Sequence, residues 1–379
     1  MPTDISIVVP VHNGAAYLAA CLRGAQELRP APLECIVVDD GSTDGSAQIA
    51  REAGALVVSS PGRRGPAYAR NLGARTACGE IVLFVDADVV VAPDALERIA
   101  ERFAEDRGRD AVIGSYDQAP ASLDLVSQYR NLLHCYTHQH GQAQTCGFWT
   151  GCGAIRRAVF LAYGGFDEAH KRPCIEDVAL GARLRQAGKQ IWLDKGLQVK
   201  HLKRLSFWNV IKTDIMDRAF PWTLLILQQG EMPADLNLKW GQRFSVLGTG
   251  WAALAPALAV GLGVMGQAQL AGAAVLSAGI AVAAVAFLNR DFYRFLARAR
   301  SAWFAARAFP LHCLYFLCAG TGFVSGIAAH AYSRLLGKSS AAGSASGKHL
   351  RADAPAAPLE PGAARLPAPS CSAVPPDAG

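Results

Sequence analysis

Two pairs of carboxylates each follow a short apolar run that predicts a buried strand: Asp39 and Asp40 after residues 33–38, and Asp86 and Asp88 after residues 81–85. Carboxylate oxygens are the ligands that Mg²⁺ and Mn²⁺ prefer, and these ions are commonly shared with substrate phosphates. A carboxylate at the end of a strand can also accept hydrogen bonds from a base or a ribose. Either pair alone is weak evidence, because Asp-Gly-Ser is an ordinary turn sequence and two aspartates one residue apart are common by chance.

Two further candidates for chemistry lie later in the chain. Glu176 and Asp177 stand in front of a segment with helical periodicity. An acid at that place can act as a base in proton transfer, or it can simply stabilise the first turn of the helix. His201 follows the strand-like residues 198–200, and a single histidine is more often structural than a metal ligand. Residue type alone therefore leaves both alternatives open at each position.

The elements that must position these residues alternate between strands and helices. Apolar, β-rich runs predict strands at residues 5–9, 33–38, 55–59 and 81–85. Helical patterns predict helices at residues 15–28, 46–53, 65–77 and 93–103. This alternation predicts an α/β fold whose mostly parallel sheet is covered by helices on both faces. In such sheets ligands bind beyond the carboxyl ends of the strands, where both aspartate pairs lie.

An ordered set of segments resembles family 2 glycosyltransferases of the GT-A fold. The segments are SIVVPVHNG, VVDDGSTDGS, GPAYARNLGA, FVDADV, TGCGAIRR, GGFDE, IEDVALGARLRQAG and a downstream histidine. The resemblance covers roughly residues 4–230. It implies a Rossmann-like mixed α/β sheet and the transfer of a sugar from a nucleotide-diphosphate donor, with a UDP-sugar as the expected one.

The resemblance also implies a role for each matching residue. The residues expected to bind the nucleotide-sugar donor are Pro10, Asp39, Asp40, Arg70, Asp86, Gly151, Gly153 and Arg218. The expected ligands of Mg²⁺ or Mn²⁺ are Asp86, Asp88 and His201. Asp177 is the expected catalytic base, with Glu176 beside it. Gly151 and Gly153 belong to a loop in which small residues would let the backbone approach the sugar, whereas a surface role is the alternative for Arg70.

The implied mechanism is a single displacement that inverts the anomeric carbon. A divalent cation neutralises the charge that develops as the nucleoside diphosphate leaves, and a base removes the proton of the acceptor hydroxyl. Processive members of the family carry a Gln-x-x-Arg-Trp motif after the base. The nearest counterpart here, residues 217–222, keeps an arginine and a tryptophan but not their spacing. We therefore expect the addition of one sugar, and Arg218 is a candidate contact for the diphosphate or for a lipid phosphate.

Three alternatives to this function stay open. The first is a processive polysaccharide synthase, and the second is a non-catalytic membrane scaffold that keeps the fold. The third is a nucleotidyltransferase, which would need a glycine-rich loop with Lys or Arg near the first strand. Residues 12–14, His-Asn-Gly, do not supply such a loop.

Two long stretches of the chain carry no charged residue, one between Arg243 and Arg290 and the other between Arg307 and Arg334. Because a bilayer crossing takes about 20 helical residues, the first stretch is long enough for two crossings and the second for one. We expect membrane helices at about residues 246–266, 268–288 and 309–329. A re-entrant or interfacial segment is the alternative for the third, and buried core helices of a soluble protein are the alternative for all three.

The distribution of charge predicts the location. Basic residues flank the first two apolar segments on one side, which would be the cytoplasmic side of the inner or plasma membrane. The N-terminus has no signal-peptide pattern, and the ten scattered cysteines fit a reducing compartment. The net charge of +6 is concentrated near the apolar segments, which favours lipid headgroups over nucleic acid as the partner.

These observations predict a glycosyltransferase domain at residues 1–230, a membrane region at 231–337 and a disordered Ala/Pro/Ser-rich tail at 338–379. Residues 206–229 are amphipathic and rich in tryptophan, as in a helix that lies among lipid headgroups, although packing within the soluble domain is the alternative. Residues 289–295 are aromatic and basic, which also favours an interfacial helix. A domain held at the bilayer suits a lipid or lipid-linked acceptor.

Overall fold

The computed structural model describes residues 4–145, 147–230 and 239–336 of the 379-residue chain. The predicted disordered tail at 338–379 lies outside the described residues, as does the start of the predicted membrane region at 231–238. Packing divides the chain into two units. The first extends to Ala328, and the second, Ala329–Gly379, is described only over residues 329–336, which are almost entirely helical.

One mixed sheet forms the centre of the first unit. Its nine strands are Ile5–Val11 (β1), Glu34–Asp39 (β2), Leu56–Ser59 (β3), Ile81–Val85 (β4), Val89–Val91 (β5), Arg109–Tyr116 (β6), Gln144–Thr145 (β7), Cys152–Arg156 (β8) and Gln190–His201 (β9). The strands follow the order β3-β2-β1-β4-β8-β6-β9-β5, and β7 pairs with β9. The first four positions are parallel, as the alternation predicted, whereas β8 runs antiparallel to both of its neighbours. The mixed sheet that the resemblance implied is confirmed.

Helices cover both faces of the sheet and continue beyond it. Their bounds are Ala15–Gln26 (α1), Ser46–Glu52 (α2), Pro66–Thr76 (α3), Ala95–Glu105 (α4), Leu125–Gln139 (α5), Arg157–Ala162 (α6), Glu176–Gln186 (α7), Phe207–Lys212 (α8), Phe220–Gln229 (α9), Trp240–Val264 (α10), Ala268–Leu288 (α11), Arg290–Ala299 (α12) and Ala302–Leu335 (α13). A π-helical segment, Thr213–Ala219, joins α8 to α9.

Strand β4 shows why this sheet is buried on both sides. Its sequence, IVLFV, is apolar at every position, and all five residues are buried. Alternate side chains of a strand point to opposite faces. Ile81, Leu83 and Val85 accordingly join one core cluster, while Val82 and Phe84 join the other. The strand therefore places the residues that follow it, Asp86 and Asp88, at the carboxyl edge of a rigid sheet.

The structure corrects two predicted element ends. Pro10 lies inside β1, because the pairing of β1 with β4 ends at Val8 and only β2 accompanies the strand further. The missing N–H of a proline is tolerated there, as it is on a sheet edge. Pro93 lies before α4 and is not in its first turn, since the helix begins after Asp94.

Among the described residues, three helices (α10, α11 and α13) are long and apolar enough to cross a membrane. They overlap the segments predicted at 246–266, 268–288 and 309–329, and α13 runs as one helix through the whole of the third segment. Whether each one spans, re-enters or lies along a bilayer stays a prediction.

Helix α5 joins the sheet domain to these apolar helices. One side of α5 forms a separate core cluster with α12 and the start of α13, in which Tyr129 and Leu132 pack with Phe292 and Leu296. Arg300, just after α12, bonds to the Gln128 side chain on α5. The sheet domain is thus packed directly against the apolar helices.

The predicted interfacial stretch at 206–229 is helical from Phe207 to Gln229 and packs closely on α13. A Cβ on Gly322 would clash with Ala219 and lie 2.9 Å from the Phe220 nitrogen, and one on Gly326 would lie 2.8 Å from the Thr223 side chain. Small residues spaced by four allow two helices to approach this closely.

A buried ion pair fixes the same stretch to α5. Arg130 Nη2 donates to Asp214 Oδ1 over 2.7 Å, and the two side chains are only 10% and 4% exposed. The Arg130 guanidinium also lies over the Tyr315 ring, 5.4 Å from its centroid. Removing one partner of a buried pair leaves the other charge uncompensated, which typically costs 3–5 kcal/mol.

We therefore predict that Asp214→Ala lowers the free energy of unfolding by about 3–5 kcal/mol. The loss should appear as a marked drop in the thermal midpoint of the detergent-solubilised protein. The double variant Arg130→Met/Asp214→Leu should recover most of the loss, because it buries no charge at all.

Asp291→Ala provides the matched control. Asp291 pairs with Arg294 at 3.0 Å, but both side chains are 64% exposed, and exposed pairs contribute little. Equal midpoints for the Asp214 and Asp291 variants would contradict a stabilising role for the buried pair.

Candidate active site

The two acidic pairs lie at one edge of the sheet. Strands β2 and β4 flank β1 and run parallel to it, so their carboxyl ends point the same way. Asp39 is the last residue of β2 and Asp40 follows it, while Asp86 follows β4. The sheet thus brings these acids to one edge, as the sequence predicted.

Asp40 organises the loop that leads into α3. Its carboxylate is buried and accepts hydrogen bonds from the Ser60 hydroxyl (2.7 Å) and from the backbone N–H groups of Arg64 (2.8 Å) and Gly65 (2.7 Å). Gly65 has a φ of +100°, which favours glycine, and a Cβ there would lie 2.8 Å from the Lys171 carbonyl oxygen. Asp40 therefore sets where α3 begins, and a contact of Asp40 with the donor stays a prediction.

Asp39 makes a local bond. Its Oδ1 accepts the backbone N–H of Ser42 over 3.1 Å, which tightens the turn after β2. Pro10 lies across from Val38 in the β1–β2 register, close to this turn. The predicted contacts of Pro10 and Asp39 with the donor are not tested by these bonds.

Arg70, on α3, bridges two of the predicted site carboxylates. Its Nη2 donates to Asp86 Oδ1 over 2.7 Å, and its Nη1 donates to Glu176 Oε1 over 3.0 Å. The arginine is 5% exposed, which excludes the surface role. It ties the end of β4 to the first turn of α7, two regions that are distant in sequence.

Glu176 is occupied on both of its oxygens. Oε1 accepts from Arg70, and Oε2 accepts the backbone N–H of Cys174 over 2.8 Å. The residue is 4% exposed. These bonds give Glu176 a positioning function, and a direct part in catalysis stays a prediction.

Asp177, the next residue, is partly buried in the first turn of α7. Its Oδ1 accepts the backbone N–H of Val178 over 2.8 Å. Burial, followed by the negative charge of Glu176, raises the pKa of Asp177 to about 7. An acid that only stabilised the helix start would have a lowered pKa, so burial and the neighbouring charge dominate here. A carboxyl group with this pKa is suited to proton transfer near neutral pH.

Asp88 and His201 meet because β5 pairs with β9. The antiparallel register places Val89 opposite His201, and the Leu202 N–H donates to the Asp88 carbonyl over 2.8 Å. Asp88 Oδ2 lies 4.0 Å from His201 Nε2, with Lys203 Nζ 3.8 Å from the same oxygen. A strand pairing across more than 100 positions of sequence thus places the two predicted ligands side by side.

The electrostatics of the pair suit a cation. Burial, and next the charge of Asp86, raise the pKa of Asp88, which shows that the carboxylate lacks sufficient positive charge around it. Burial lowers the pKa of His201, so its imidazole is neutral and has a lone pair to donate.

The separation of the two donor atoms also fits a metal ion. Two donors each about 2.1 Å from one Mg²⁺ lie at most about 4.2 Å apart, and Asp88 Oδ2 and His201 Nε2 are 4.0 Å apart. Within the described parts of the chain, no three acidic, histidine or cysteine side chains converge on one point. Asp86 bonds to Arg70 instead, so its predicted ligation stays a prediction, and substrate oxygens and water would complete the shell.

The glycine-rich loop has a packing reason for its composition. A Cβ on Gly151 would clash with the Trp149 indole, and a Cβ on Gly153 would clash with the Trp149 carbonyl oxygen and lie 2.8 Å from the Phe148 ring. The glycines therefore make room for Trp149 in this structure. The predicted approach of the loop backbone to a sugar is not tested.

Arg218 is exposed at the end of the π-helical segment. The Phe220 N–H donates to the Ile215 carbonyl, and Pro221 has no N–H to donate, which accounts for the wider turn. Burial raises the pKa of Tyr116, and the positive charge of Arg218 opposes that rise. Burial lowers the pKa of His134, and the charges of His138 and Arg218 lower it further, so the arginine lies near the site. The predicted contact of Arg218 with the donor stays a prediction.

A group of rings that the sequence did not indicate lies beneath the site, and we call it the ring cluster: Tyr116, His134, His138, Trp149 and His201. Their centroids lie 4.0–5.5 Å apart in successive contacts. The spacing of His134 and His138, four residues apart on α5, was the one signal in the sequence that could have indicated it.

The N-terminal part of the chain is similar to known glycosyltransferases. Residues 6–164 match the model of Glycosyl transferase family 2. Glycosyltransferase GlyG of Streptococcus pneumoniae is 34% identical over 117 residues, which are 30% of this chain and 38% of that protein. The 4,4'-diaponeurosporenoate glycosyltransferase of Staphylococcus haemolyticus is 37% identical over 138 residues, 34% of this chain and 36% of that protein. The matches thus span less than half the length of these relatives.

A solved structure extends the likeness beyond the first domain. A mannosyltransferase from Pyrobaculum calidifontis, solved with GDP-Man and Mn²⁺, superposes with a TM-score of 0.53 at 21% identity, covering 85% of this chain and 87% of the other. At this identity the likeness shows the fold, which is the GT-A fold. Residues 6–164 thus match glycosyltransferase family 2, and the chain has the GT-A fold.

Proposed function

We propose that this protein transfers a single sugar from a nucleotide-diphosphate sugar to a hydroxyl of a membrane-associated acceptor, with inversion of the anomeric carbon. The observation that carries the proposal is that two carboxylates of the site, Asp88 and Asp177, have different surroundings. Asp88 faces His201 as a pair of metal donors, 4.0 Å apart. Asp177, whose pKa is raised to about 7 by burial, is suited to accept a proton.

The donor side of the site is proposed to lie at the carboxyl ends of β2 and β4. The family supports a nucleotide-sugar donor, and the similar mannosyltransferase was solved with GDP-Man and Mn²⁺. A UDP-sugar is the donor that we expect, with GDP-sugars as the alternative. A Mg²⁺ or Mn²⁺ ion held by Asp88 and His201 would neutralise the charge on the phosphate oxygens of the leaving nucleotide.

Asp177 is proposed to take the proton of the acceptor hydroxyl. Its Oδ1 is held by the Val178 N–H, which fixes the carboxylate and leaves Oδ2 for the acceptor. Glu176, bonded to Arg70 and to the Cys174 N–H, keeps the first turn of α7 in place. Attack from the side opposite the leaving group inverts the anomeric carbon.

The addition of one sugar is proposed over polymerisation. The Arg218–Trp222 spacing differs from the Gln-x-x-Arg-Trp motif of processive members, and Pro221 with the π-helical turn separates the two residues. Arg218, exposed and near Tyr116, is available to bind the diphosphate or a lipid phosphate.

A lipid or lipid-linked acceptor is supported by the position of α5. The helix carries His134 and His138 of the ring cluster, and its other side packs on α12. Helix α12 follows α11 and precedes α13 in the chain, and both of these are long enough to cross a membrane. The arginines 290, 294 and 298 of α12 are exposed on the face away from α5. We propose that they lie at the cytoplasmic surface of the inner or plasma membrane, where basic residues are enriched. Nucleic acid is not an expected partner.

The proposal predicts that the solubilised protein releases one nucleotide from a panel of UDP-, GDP- and dTDP-sugars, with Mn²⁺ or Mg²⁺ and a membrane lipid extract present. Asp177→Asn should bind the donor like the parent but lower turnover by about 10²- to 10⁴-fold, the usual contribution of a general base. Nucleotide release and donor affinity are measured separately.

Asp88→Ala gives the contrasting result, a loss of metal-dependent donor binding. Transfer at the parent rate by Asp177→Asn would show that Asp177 is not the catalytic base. Absence of both nucleotide binding and turnover in the parent would favour the scaffold alternative.

A second prediction concerns pH. A base must be ionised to accept a proton, so kcat/KM should rise with pH through an inflection near 7, the raised pKa of Asp177. Glu176→Gln keeps the length of the side chain but removes the negative charge that helps to raise this pKa. The inflection should therefore move to lower pH in that variant.

Glu80→Gln is the control for the pH profile. Glu80 is an exposed carboxylate that pairs with Arg156 at 2.5 Å, and its loss should leave the inflection at the parent value. An unmoved inflection in Glu176→Gln would show that the Glu176 charge does not act on the catalytic group.

A further inference from the structure

The orientation of His201 has an unusual source. Histidines that bind metals almost always donate their second ring nitrogen to a carboxylate, a backbone carbonyl or water, and this bond fixes the ring. Within the described residues, neither ring nitrogen of His201 has a hydrogen-bond partner, and Asp88 lies at 4.0 Å. What does contact the imidazole is the ring of Tyr116, with the two centroids 4.6 Å apart and the planes inclined by 32°.

The sheet places Tyr116 for this contact. Tyr116 is the last residue of β6 and pairs in parallel register with Val199 of β9. Val199 and His201 are two residues apart on β9 and therefore point to the same face. Tyr116 and His201 are thus diagonal neighbours on one face of adjacent strands, within reach of aromatic side chains.

The remainder of the ring cluster holds Tyr116 itself. Trp149 packs against Tyr116 edge-to-face, with the ring centroids 5.0 Å apart. The His134 ring also contacts Tyr116, with the centroids 4.5 Å apart. The His138 Nδ1 lies 3.0 Å from the Gly114 carbonyl oxygen, so α5 is fixed to β6 at this level. Tyr116 is therefore a rigid surface for the imidazole.

We propose that Tyr116 is a positioning residue that holds the His201 imidazole in the orientation needed to bind a divalent cation. It acts through the tilted contact between the two rings and does not itself contact the cation. The inference rests on the proposed metal site at Asp88 and His201. It assigns to an unpredicted residue a part in cation affinity that is separate from proton transfer at Asp177.

The test compares two substitutions of Tyr116 in the full-length protein in detergent. Tyr116→Phe keeps the ring and should bind Mn²⁺ like the parent. Tyr116→Leu removes the ring and should weaken Mn²⁺ affinity by about 10- to 100-fold, the usual effect of losing the group that orients a metal ligand. Binding is followed by the EPR signal of free Mn²⁺, with UDP and then with GDP present.

A turnover measurement separates positioning from general damage. In Tyr116→Leu the half-saturating Mn²⁺ concentration should rise by the same factor, while turnover at saturating Mn²⁺ stays close to that of the parent. Tyr163→Leu is the matched control, because Tyr163 lies against the other core cluster and its loss should not change Mn²⁺ affinity. If Tyr116→Leu does not fold, Tyr116→Met provides the same test with a side chain that fills irregular space.

A double-mutant cycle tests whether Tyr116 acts through His201. In a His201→Ala background, Tyr116→Leu should cause no further loss of Mn²⁺ affinity. Parent-like affinity in Tyr116→Leu, or an equal further loss without His201, would overturn the inference while leaving the proposed metal site intact. A parent protein with no affinity for Mn²⁺ would instead overturn the metal site, and this inference with it.

Discussion

The arrangement of the site depends on one buried arginine. Arg70 places a single positive charge between Asp86, at the end of β4, and Glu176, at the start of α7. Asp40 contributes indirectly, because its bonds to the Arg64 and Gly65 N–H groups set where α3 begins. Without the guanidinium, the buried Glu176 and the partly exposed Asp86 would both lose their ion-pair partner, which is costly for a charge in a protein interior. The sheet edge and the helix that carries the proposed base are therefore held by the same group.

The same arginine divides the acids into two kinds. Asp86 and Glu176 are bonded to it, whereas burial and the charge of a neighbouring acid raise the pKa of Asp88 and of Asp177. A carboxyl group with a raised pKa destabilises the folded protein once it is ionised, so the fold tolerates two unfavourable charges where a cation and a proton would be bound. Such a loss of stability at a reactive site is common in enzymes. Helix α5 then connects the site, through the ring cluster, to the apolar helices.

The sequence predicted those features that depend on local pattern or on an ordered set of motifs. The buried strand β4, the acids that follow it and the three apolar helices are of this kind, because periodicity and uncharged length are readable in one dimension. Features set by tertiary contacts were not predictable. The bridge from Arg70 to Glu176 joins residues 106 positions apart, and the ring contact of Tyr116 with His201 depends on the β6–β9 register. The predicted end of β1 was also wrong, because whether Pro10 ends the strand depends on which neighbouring strand pairs with it at that position.

The most direct test of this division is the stability of four amide variants, Asp86→Asn, Glu176→Gln, Asp88→Asn and Asp177→Asn, by thermal unfolding at pH 8 without metal or nucleotide. At that pH, above the raised pKa of Asp177 of about 7, Asp177 carries an unfavourable charge in the parent. Burial and the charge of Asp86 raise the pKa of Asp88 as well, so the ionised form of Asp88 also costs stability. We expect Asp88→Asn and Asp177→Asn to unfold at higher temperature than the parent, because each removes such a charge. Asp86→Asn and Glu176→Gln should unfold at lower temperature, because each weakens an ion pair with Arg70. The reverse order would contradict the account, since it would make Asp88 and Asp177 the structural acids and leave the bridged pair for chemistry.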